Sequence, residues 1–359
     1  MATVLPERRR YDVAPGEFTG AIGDSITVLP LVAAVGALTP ASLPHVLAGF
    51  AVFQVVWGAV YGVPLSVEPM KALAGLAVAG AVGYRGVVAA GLAAGVVLLA
   101  AGRLGLLSRL AAAVGEPVVR GVQFAVACLL VVAAADLATA APVVAVAGLT
   151  LAAVVAAVSP RAVGLVVLTA GLLWGLWTAG IPAASVPAAT PFPSGGPTLS
   201  RAALEGTVAQ LAMTVGNAAV ATSLLLSDRY GADVSPDRLA ESMGAMNLLA
   251  VPLGALPMCH GSGGLAGKHA FGARTATANL VAGCLYGGLA VVSGLFEAVP
   301  MALLGVLLVA VAASLARTAL AATDRPVFVV AVGALAVLTN VGVAFVAGAA
   351  WWLRPRAFR

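Results

Sequence analysis

One segment of this chain places glycine, proline, histidine and positive charge between two long apolar runs. It covers residues 256–274 and reads Leu-Pro-Met-Cys-His-Gly-Ser-Gly-Gly-Leu-Ala-Gly-Lys-His-Ala-Phe-Gly-Ala-Arg. Lipid cannot hydrogen-bond irregular backbone, so such a segment at membrane depth must pack inside protein or line a wet cavity. A second broken segment, residues 61–71, lies in the first half of the chain. One interrupted apolar segment in each half is typical of a transporter's substrate site.

The composition identifies the solvent in which the chain folds. Hydrophobic residues make up 61% and charged residues 9% of its 359 residues, against about 25% charged residues in soluble domains. The sequence therefore predicts a polytopic membrane protein surrounded by lipid and excludes an ordinary soluble domain. The net charge of +5 comes mostly from arginines at the ends of apolar runs. It bears on topology, and we expect no nucleic-acid partner.

The apolar runs divide into seven spans in each half of the chain. The first set is 18–38, 43–60, 65–82, 84–102, 104–137, 142–158 and 161–180, with a bend expected near 115–117 in the long fifth span. The second set is 203–227, 238–252, 262–273, 275–296, 298–316, 326–338 and 340–353. The spans 65–82, 262–273 and 326–338 are shorter than the roughly 20 residues of a full crossing, which favours half-helices or re-entrant segments.

Positive charge predicts the orientation of these spans. Arginines at 8–10 and at 354, 356 and 359 indicate cytoplasmic termini in a multi-pass protein of the cell membrane. The same count places Lys268 and Arg274 at the cytoplasmic interface rather than at the substrate. The expected organisation is a tail at 1–16, a first repeat at 17–180, an extracytoplasmic linker at 181–200, a second repeat at 201–353 and a tail at 354–359.

Short similarities between the halves indicate a repeat. Residues 21–24 resemble 214–217, and residues 67–70 resemble 255–258. An odd number of spans in each half makes such repeats inverted.

Polar residues inside apolar spans are costly and are therefore functional candidates. Asp24 and Glu68 lie at membrane depth, although Glu68 could also pair with Lys71 three residues on. A helix that begins after each broken segment would present free N–H groups and partial positive charge, which suits an anion. The candidate substrate-binding residues are Asp24, Ser25, Glu68, Met70, Gln210, Thr214, Asn217, His260, Gly261, Ser262, Gly263 and Gly264. Cys259 and His260 lack a second ligand pair, so we expect no metal and no other cofactor.

These segments together resemble the molybdate transporter family, a distant branch of the sulfate permease superfamily. The resemblance rests on residues 17–24, 61–71, 246–267 and 271–274, supported by 117–123, 210–214 and Asn217. It implies an all-α, seven-plus-seven inverted-repeat fold with core and gate domains and half-helices at spans 3 and 10. It also implies substrate between those half-helices, elevator-like movement, and molybdate as cargo, with tungstate and sulfate as near neighbours.

One departure from the family pattern concerns coupling. Glu68 stands where the family usually has glutamine, and a carboxylate repels an oxyanion unless it is protonated or paired. A protonated Glu68 would be a hydrogen-bond donor and a proton-coupling site, with Asp24 as the second candidate. Alternatively, Lys71 neutralises it. The sequence also departs from the family pattern at residues 25–27 and at Ala212.

Three classes of function remain open at this point. The leading hypothesis is proton-coupled secondary transport of a tetrahedral oxyanion, and a homodimer is the assembly considered. The second keeps the transporter and changes the cargo to sulfate, bicarbonate or a nucleobase. The third is an anion channel of the same fold or a non-transporting scaffold.

Overall fold

The computed structural model of the protein describes residues 9–107, 109 and 115–352, with Thr27 described by its backbone alone. The described part of the first half contains α1 (Pro15–Leu38), α2 (Leu43–Tyr61), β1 (Val67–Pro69), α3 (Lys71–Val78), α4 (Tyr84–Arg103), α5 (Glu116–Thr139), α6 (Pro142–Val158) and α7 (Val163–Ala179). The second half contains α8 (Arg201–Met213), a π-helical stretch (Thr214–Val220), α9 (Ala221–Tyr230), α10 (Pro236–Ala250), β2 (Met258–His260), α11 (Ser262–Ala270), α12 (Thr277–Val291), α13 (Met301–Ala321), α14 (Pro326–Leu338) and α15 (Val341–Trp352).

Many of these helices are long and apolar enough to cross a membrane. Among the described residues, five pass this test, with Arg201–Tyr230 counted as one helix, and α1 is a sixth when its halves form one span. Five shorter apolar helices, α6, α7, α12, α14 and α15, add to them. The prediction of an all-α polytopic membrane protein is confirmed.

Proline and glycine set several helix boundaries as the sequence suggests. Helix α2 begins with proline in its first turn and ends at Gly62, which has a φ of 65°, a conformation that glycine adopts without steric cost. The predicted fifth span was wrong at its start. Helix α5 begins at Glu116, so the expected bend near 115–117 is a helix start with Pro117 in the first turn. Positions 108 and 110–114 and the tails 1–8 and 353–359 lie outside the described residues.

The two broken segments meet as a pair of short antiparallel strands. Val67 lies opposite His260, Glu68 opposite Cys259, and Pro69 opposite Met258. This ladder pairs backbone groups that lipid would leave unsatisfied. A single residue then leads from β1 into α3 and from β2 into α11, which have 8 and 9 residues. The predicted half-helices at spans 3 and 10 are confirmed.

The strand register corrects the predicted internal repeat. Val67 and Met258 each begin a strand, so Met70 corresponds to Gly261, the other residue that joins a strand to a half-helix. The alignment of 67–70 with 255–258 was therefore out of register by three residues, because it matched a shared Pro-Met pair.

The helices pack in two groups with a cleft between them. In the first group α2 packs against α12 and α4 packs against α10. In the same group α1 packs against α11, and α3 packs against α8. In the second group α5 packs against α13 and α14, and α6 and α7 pack against α13. Contacts of α1 with α7 and α13, and of α3 with α5, join the groups. The segment between α7 and α8 is tied to the first group, since the Phe192 amide donates to the Pro252 carbonyl and the Thr198 amide to the Arg85 carbonyl.

Close packing of α1 yields a test of this arrangement. A Cβ on Gly20 would lie 2.4 Å from Cβ of Ala273, and overpacking of this kind costs about 1–3 kcal/mol. We expect Gly20→Ala to lower the melting temperature in detergent. The matched control is Gly288→Ala on α12, where nothing lies within 4 Å and an exposed glycine-to-alanine change gains up to about 1 kcal/mol. A melting temperature for Gly20→Ala equal to that of the control would contradict the packing of α1 on the connection after α11.

Candidate functional site

A carboxylate from the first broken segment caps the half-helix of the second. Glu68 on β1 is buried, forms an ion pair with Lys71 at the start of α3, and accepts a 2.6 Å hydrogen bond at Oε1 from the Gly264 amide. The first N–H groups of α11 have no acceptor within the helix. Glu68 therefore provides negative charge at the place where the helix terminus favours an anion. The pairing with Lys71 that the sequence allowed is present.

The side-chain amide of Gln210 caps the other half-helix, α3. Oε1 of Gln210, on α8, accepts from the amides of Ala72 at 2.9 Å and Leu73 at 3.3 Å. Its Nε2 donates to Oγ1 of Thr214 at 3.0 Å. Gln210 and Thr214, both predicted as substrate contacts, are buried and hold the start of α3.

The glycines of the second broken segment have two different roles. A Cβ on Gly261 would lie 2.0 Å from Cδ of Glu68, and one on Gly264 would lie 2.2 Å from Oδ1 of Asp24 and 2.3 Å from Oε1 of Glu68. Glycine at these two positions admits both carboxylates. At Gly263 the nearest group is Nζ of Lys71, at 4.0 Å, so this glycine leaves open space beside the ammonium.

A buried ion pair lies behind the half-helices and corrects the predicted position of Lys268. Its side chain is fully buried, and Nζ lies 3.1 Å from Oδ2 of Asp24. Nζ also donates to Oε1 of Gln54 at 2.9 Å and to Oδ1 of Asn279 at 2.8 Å. The prediction of a cytoplasmic interface position was wrong because α11 is a half-helix, so its last turn remains within the protein.

Sequence analysis missed three polar residues of this network. Gln54 donates to Oδ2 of Asp24 at 3.1 Å, and Ser66 donates to Oδ1 at 2.6 Å. Asn279 donates to the backbone carbonyls of Gln54 and Leu65. A buried carboxylate needs a cation and donors, so Asp24 at membrane depth was the signal that such partners exist.

The other predicted site residues lie around this centre with protein partners. Ser262 donates to Oδ1 of Asn217 at 2.9 Å, and Ser25 donates to the Ala21 carbonyl. The His260 ring lies between Oγ of Ser242, at 2.8 Å, and the Ser66 carbonyl, at 3.3 Å. Met70 is buried, and its amide donates to the Pro257 carbonyl at 2.8 Å.

A cavity of about 430 Å³ opens between the two helix groups. One face of α11 lines it with Gly263, Ala266, Gly267 and Ala270, at helical spacing. Lys71 lines the same cavity, and 18% of its side chain is exposed. The opposite wall comes from the start of α7 and the last turns of α13. Of the predicted site residues, Gly263 lies on this cavity, while Asp24 and Glu68 are buried behind it.

The charged side chains in the described lining of this cavity are all positive. Its described lining includes three cations, Lys71, Arg161 and Arg317, and no acidic residue. Arg161 and Arg317 are exposed, so they stand at the mouth, and the partly buried Lys71 lies at the inner end. The arrangement attracts an anion by electrostatics and gives it donors at both ends.

The sequence matches the family described as "Molybdate transporter of MFS superfamily" over residues 16–130 and 202–315. The chain belongs to this molybdate transporter family. It is 31% identical to Molybdate transporter 1 of Arabidopsis thaliana over 366 residues, covering 84% of this chain and 79% of the relative.

Solved structures show the fold of this family member. The transmembrane domain of the cyanobacterial bicarbonate transporter BicA has a TM-score of 0.66 at 16% identity, over 93% of this chain and 97% of that one. The inward-facing murine anion transporter Slc26a9 has a TM-score of 0.68 at 12% identity, over 95% and 68%. The predicted seven-plus-seven inverted-repeat fold with core and gate domains is confirmed. The helix group with α1–α4 and α8–α12 is the core, and the group with α5–α7 and α13–α15 is the gate.

The buried ion pair gives a test of the site's construction. Lys268→Met removes the cation beside Asp24, and an uncompensated buried charge costs about 3–5 kcal/mol. We expect a large fall in melting temperature and in yield of monodisperse protein. The double variant Asp24→Asn/Lys268→Met removes both charges and should recover most of the loss. A single variant as stable as the wild type would show that the pair is absent in the protein.

Proposed function

We propose that this protein is a secondary active transporter of a tetrahedral oxyanion, and that molybdate is its substrate. The observation that carries the proposal is the cavity with three cations and no acidic residue in its described lining, in a chain of the molybdate transporter family. The substrate lies at the inner end of the cavity, between Nζ of Lys71 and the amide end of α11 at Gly263.

The chemistry of this inner end suits a small dianion. Lys71 supplies an ammonium group, and hydrogen bonds to charged groups contribute about 1.5–3 kcal/mol each. The start of α11 adds N–H groups and the positive end of the helix dipole. Since Gly263 has no side chain, the anion can approach the backbone. The buried candidates Gln210, Thr214 and Ser262, with Asn217 as the hydrogen-bond partner of Ser262, act by fixing the half-helices in place.

Substrate binding and proton binding are linked through Lys71. In the structure Lys71 neutralises Glu68, and a dianion at the inner end competes for the same ammonium. Once Lys71 turns to the substrate, Glu68 is left beside Asp24 and next to the dianion, and protonation of Glu68 relieves the repulsion. The ionisable groups around Glu68 are Asp24, Lys71, Cys259, Lys268 and Tyr286. Asp24 is the weaker coupling candidate because Lys268 pairs with it out of reach of the cavity.

Transport requires the core to move against the gate. The cavity lies between α1, α3 and α11 of the core and α7 and α13 of the gate, so an elevator-like displacement of the core would carry Lys71 and Gly263 across the membrane. The arginines at the mouth of the cavity favour a cytoplasmic opening under the positive-inside rule. We propose cytoplasmic termini in a cell-membrane protein, in agreement with the arginines near both ends of the sequence, and a homodimer stays a prediction.

A nucleobase is disfavoured as cargo by the contacts of Glu68. A neutral base would use a free carboxylate to hold its N–H groups, but Glu68 already holds Lys71 and the Gly264 amide. Sulfate has the same shape and charge as molybdate and is the main competing substrate.

Binding to the purified protein tests the substrate class. We expect molybdate and tungstate to raise the melting temperature and to give saturable calorimetric binding that survives excess sulfate. Lys71→Gln should weaken molybdate binding about 10–100-fold, because it removes a charge-assisted contact of about 1.5–3 kcal/mol. Uracil and bicarbonate are the negative comparisons. Stabilisation by either of these and not by any tetrahedral oxyanion would refute the proposal.

The pH dependence of binding tests the coupling. If Glu68 takes up a proton when molybdate binds, affinity in the wild type rises as pH falls, and calorimetry in buffers of different ionisation enthalpy reports about one proton taken up. Glu68→Gln should bind at least as tightly as the wild type at neutral pH, without proton uptake. Proton uptake that persists in Glu68→Gln would assign the coupling elsewhere, and Asp24→Asn is then the variant to measure.

A further inference from the structure

The gate wall of the cavity carries a cluster of donors that the inner site does not use. Arg317, Ser314 and Thr318 line the cavity from α13, at spacings of three and four residues that place them on one face of a helix. Arg161, directly before α7, lines the same cavity. The Thr318 hydroxyl donates to the Ser314 carbonyl at 2.8 Å, so it has no hydrogen left for an anion. The cluster therefore offers two guanidinium groups and the Ser314 hydroxyl, drawn from two elements of the gate.

These arginines are available to a ligand. Among the described residues neither forms an ion pair with a carboxylate, whereas Arg103, Arg120, Arg201 and Arg238 each pair with a glutamate. Arg317 donates at Nε to the Ala313 carbonyl at 3.3 Å, which leaves its terminal nitrogens for other acceptors. A guanidinium has five donors in a planar fork and binds tetrahedral oxyanions through two parallel hydrogen bonds.

The cavity has room for an ion at each end. A water molecule occupies about 30 Å³ in the liquid. On this scale the volume of the cavity, about 430 Å³, is several times the volume of a five-atom oxyanion. One end is formed by the core residues Lys71 and Gly263, and the other by the gate cluster.

We propose that Arg161 and Arg317, with the hydroxyl group of Ser314, form a second, outer oxyanion site at the mouth of the cavity. The inference rests on the proposed function, since both sites serve the same tetrahedral dianion. The outer site concentrates the anion near Lys71 and receives it on release. Because the outer site is on the gate and Lys71 is on the core, the two sites face each other only when the cavity is open on this side.

The two sites make separable predictions for binding. Removing the two arginine charges at the mouth of the cavity reduces the electrostatic steering of the anion. This steering governs association rates and their salt dependence. In Arg161→Gln/Arg317→Gln we expect association of molybdate to slow roughly tenfold at low salt, with the salt dependence largely lost. Equilibrium binding at the inner site should change less than threefold, and a weaker second binding event seen in the wild type should disappear. Lys71→Gln should show the opposite pattern, with the tighter event lost and the weaker one retained.

The experiment is binding of radiolabelled molybdate to purified full-length protein, with stoichiometry and association rate measured at several salt concentrations. Arg229→Gln is the matched control, because this arginine is exposed on α9 and does not line the cavity. Ser314→Ala probes the same site without changing charge and should weaken the second binding event alone.

The outcomes distinguish the two proposals. A wild type that binds no tetrahedral oxyanion would overturn the proposed function and the outer site with it. A wild type that binds one equivalent through Lys71, with the same association rate and salt dependence in the double arginine variant, would overturn the outer site and leave the proposed function standing.

Discussion

The half-helices α3 and α11 both begin inside this membrane protein, and lipid offers no acceptor for their first N–H groups. Here the acceptors are exchanged between elements distant in sequence: Glu68 of the first broken segment caps α11 of the second, and Gln210 of α8 caps α3. The antiparallel pairing of β1 with β2 satisfies the backbone that precedes both helices. Each half-helix therefore depends on the other half of the chain, and the position of the proposed substrate site follows from this mutual capping.

The charges near the half-helices divide into a fully buried pair and a pair that reaches the cavity. Asp24 and Lys268 are fully buried and surrounded by Gln54, Ser66 and Asn279, so they hold α1 and α11 together as one body. Glu68 and Lys71 form the second pair, and Lys71 reaches the cavity. The proposed substrate would therefore meet the Lys71 ammonium in front of a fixed, neutral network. In the proposed mechanism this separation lets the core move as a unit while the Glu68–Lys71 pair responds to substrate and protons.

Much of the fold could be predicted from the sequence because lipid imposes simple rules on apolar length and on irregular backbone. The half-helices at spans 3 and 10 followed from the broken segments. Gly261 and Gly264 were predicted as substrate contacts, whereas in the structure their lack of a side chain admits the carboxylates of Glu68 and Asp24. Lys268 was placed wrongly because charge near the end of an apolar run usually marks an interface, and its partner Asp24 is remote in sequence. The arginines at the ends of apolar runs indicated topology only, since the position of Arg161 and Arg317 on the cavity depends on how the gate packs against the core. The register of the internal repeat likewise required the strand pairing.

We propose that the substrate takes Lys71 from Glu68 at the start of α11. An experimental structure of the protein with tungstate would decide this, because the tungsten atom dominates the scattering and marks the anion without ambiguity. We expect tungstate between Nζ of Lys71 and the amide of Gly263, with the Lys71–Glu68 pair separated. Tungstate bound elsewhere, or at this place with the Lys71–Glu68 pair intact, would refute the proposal.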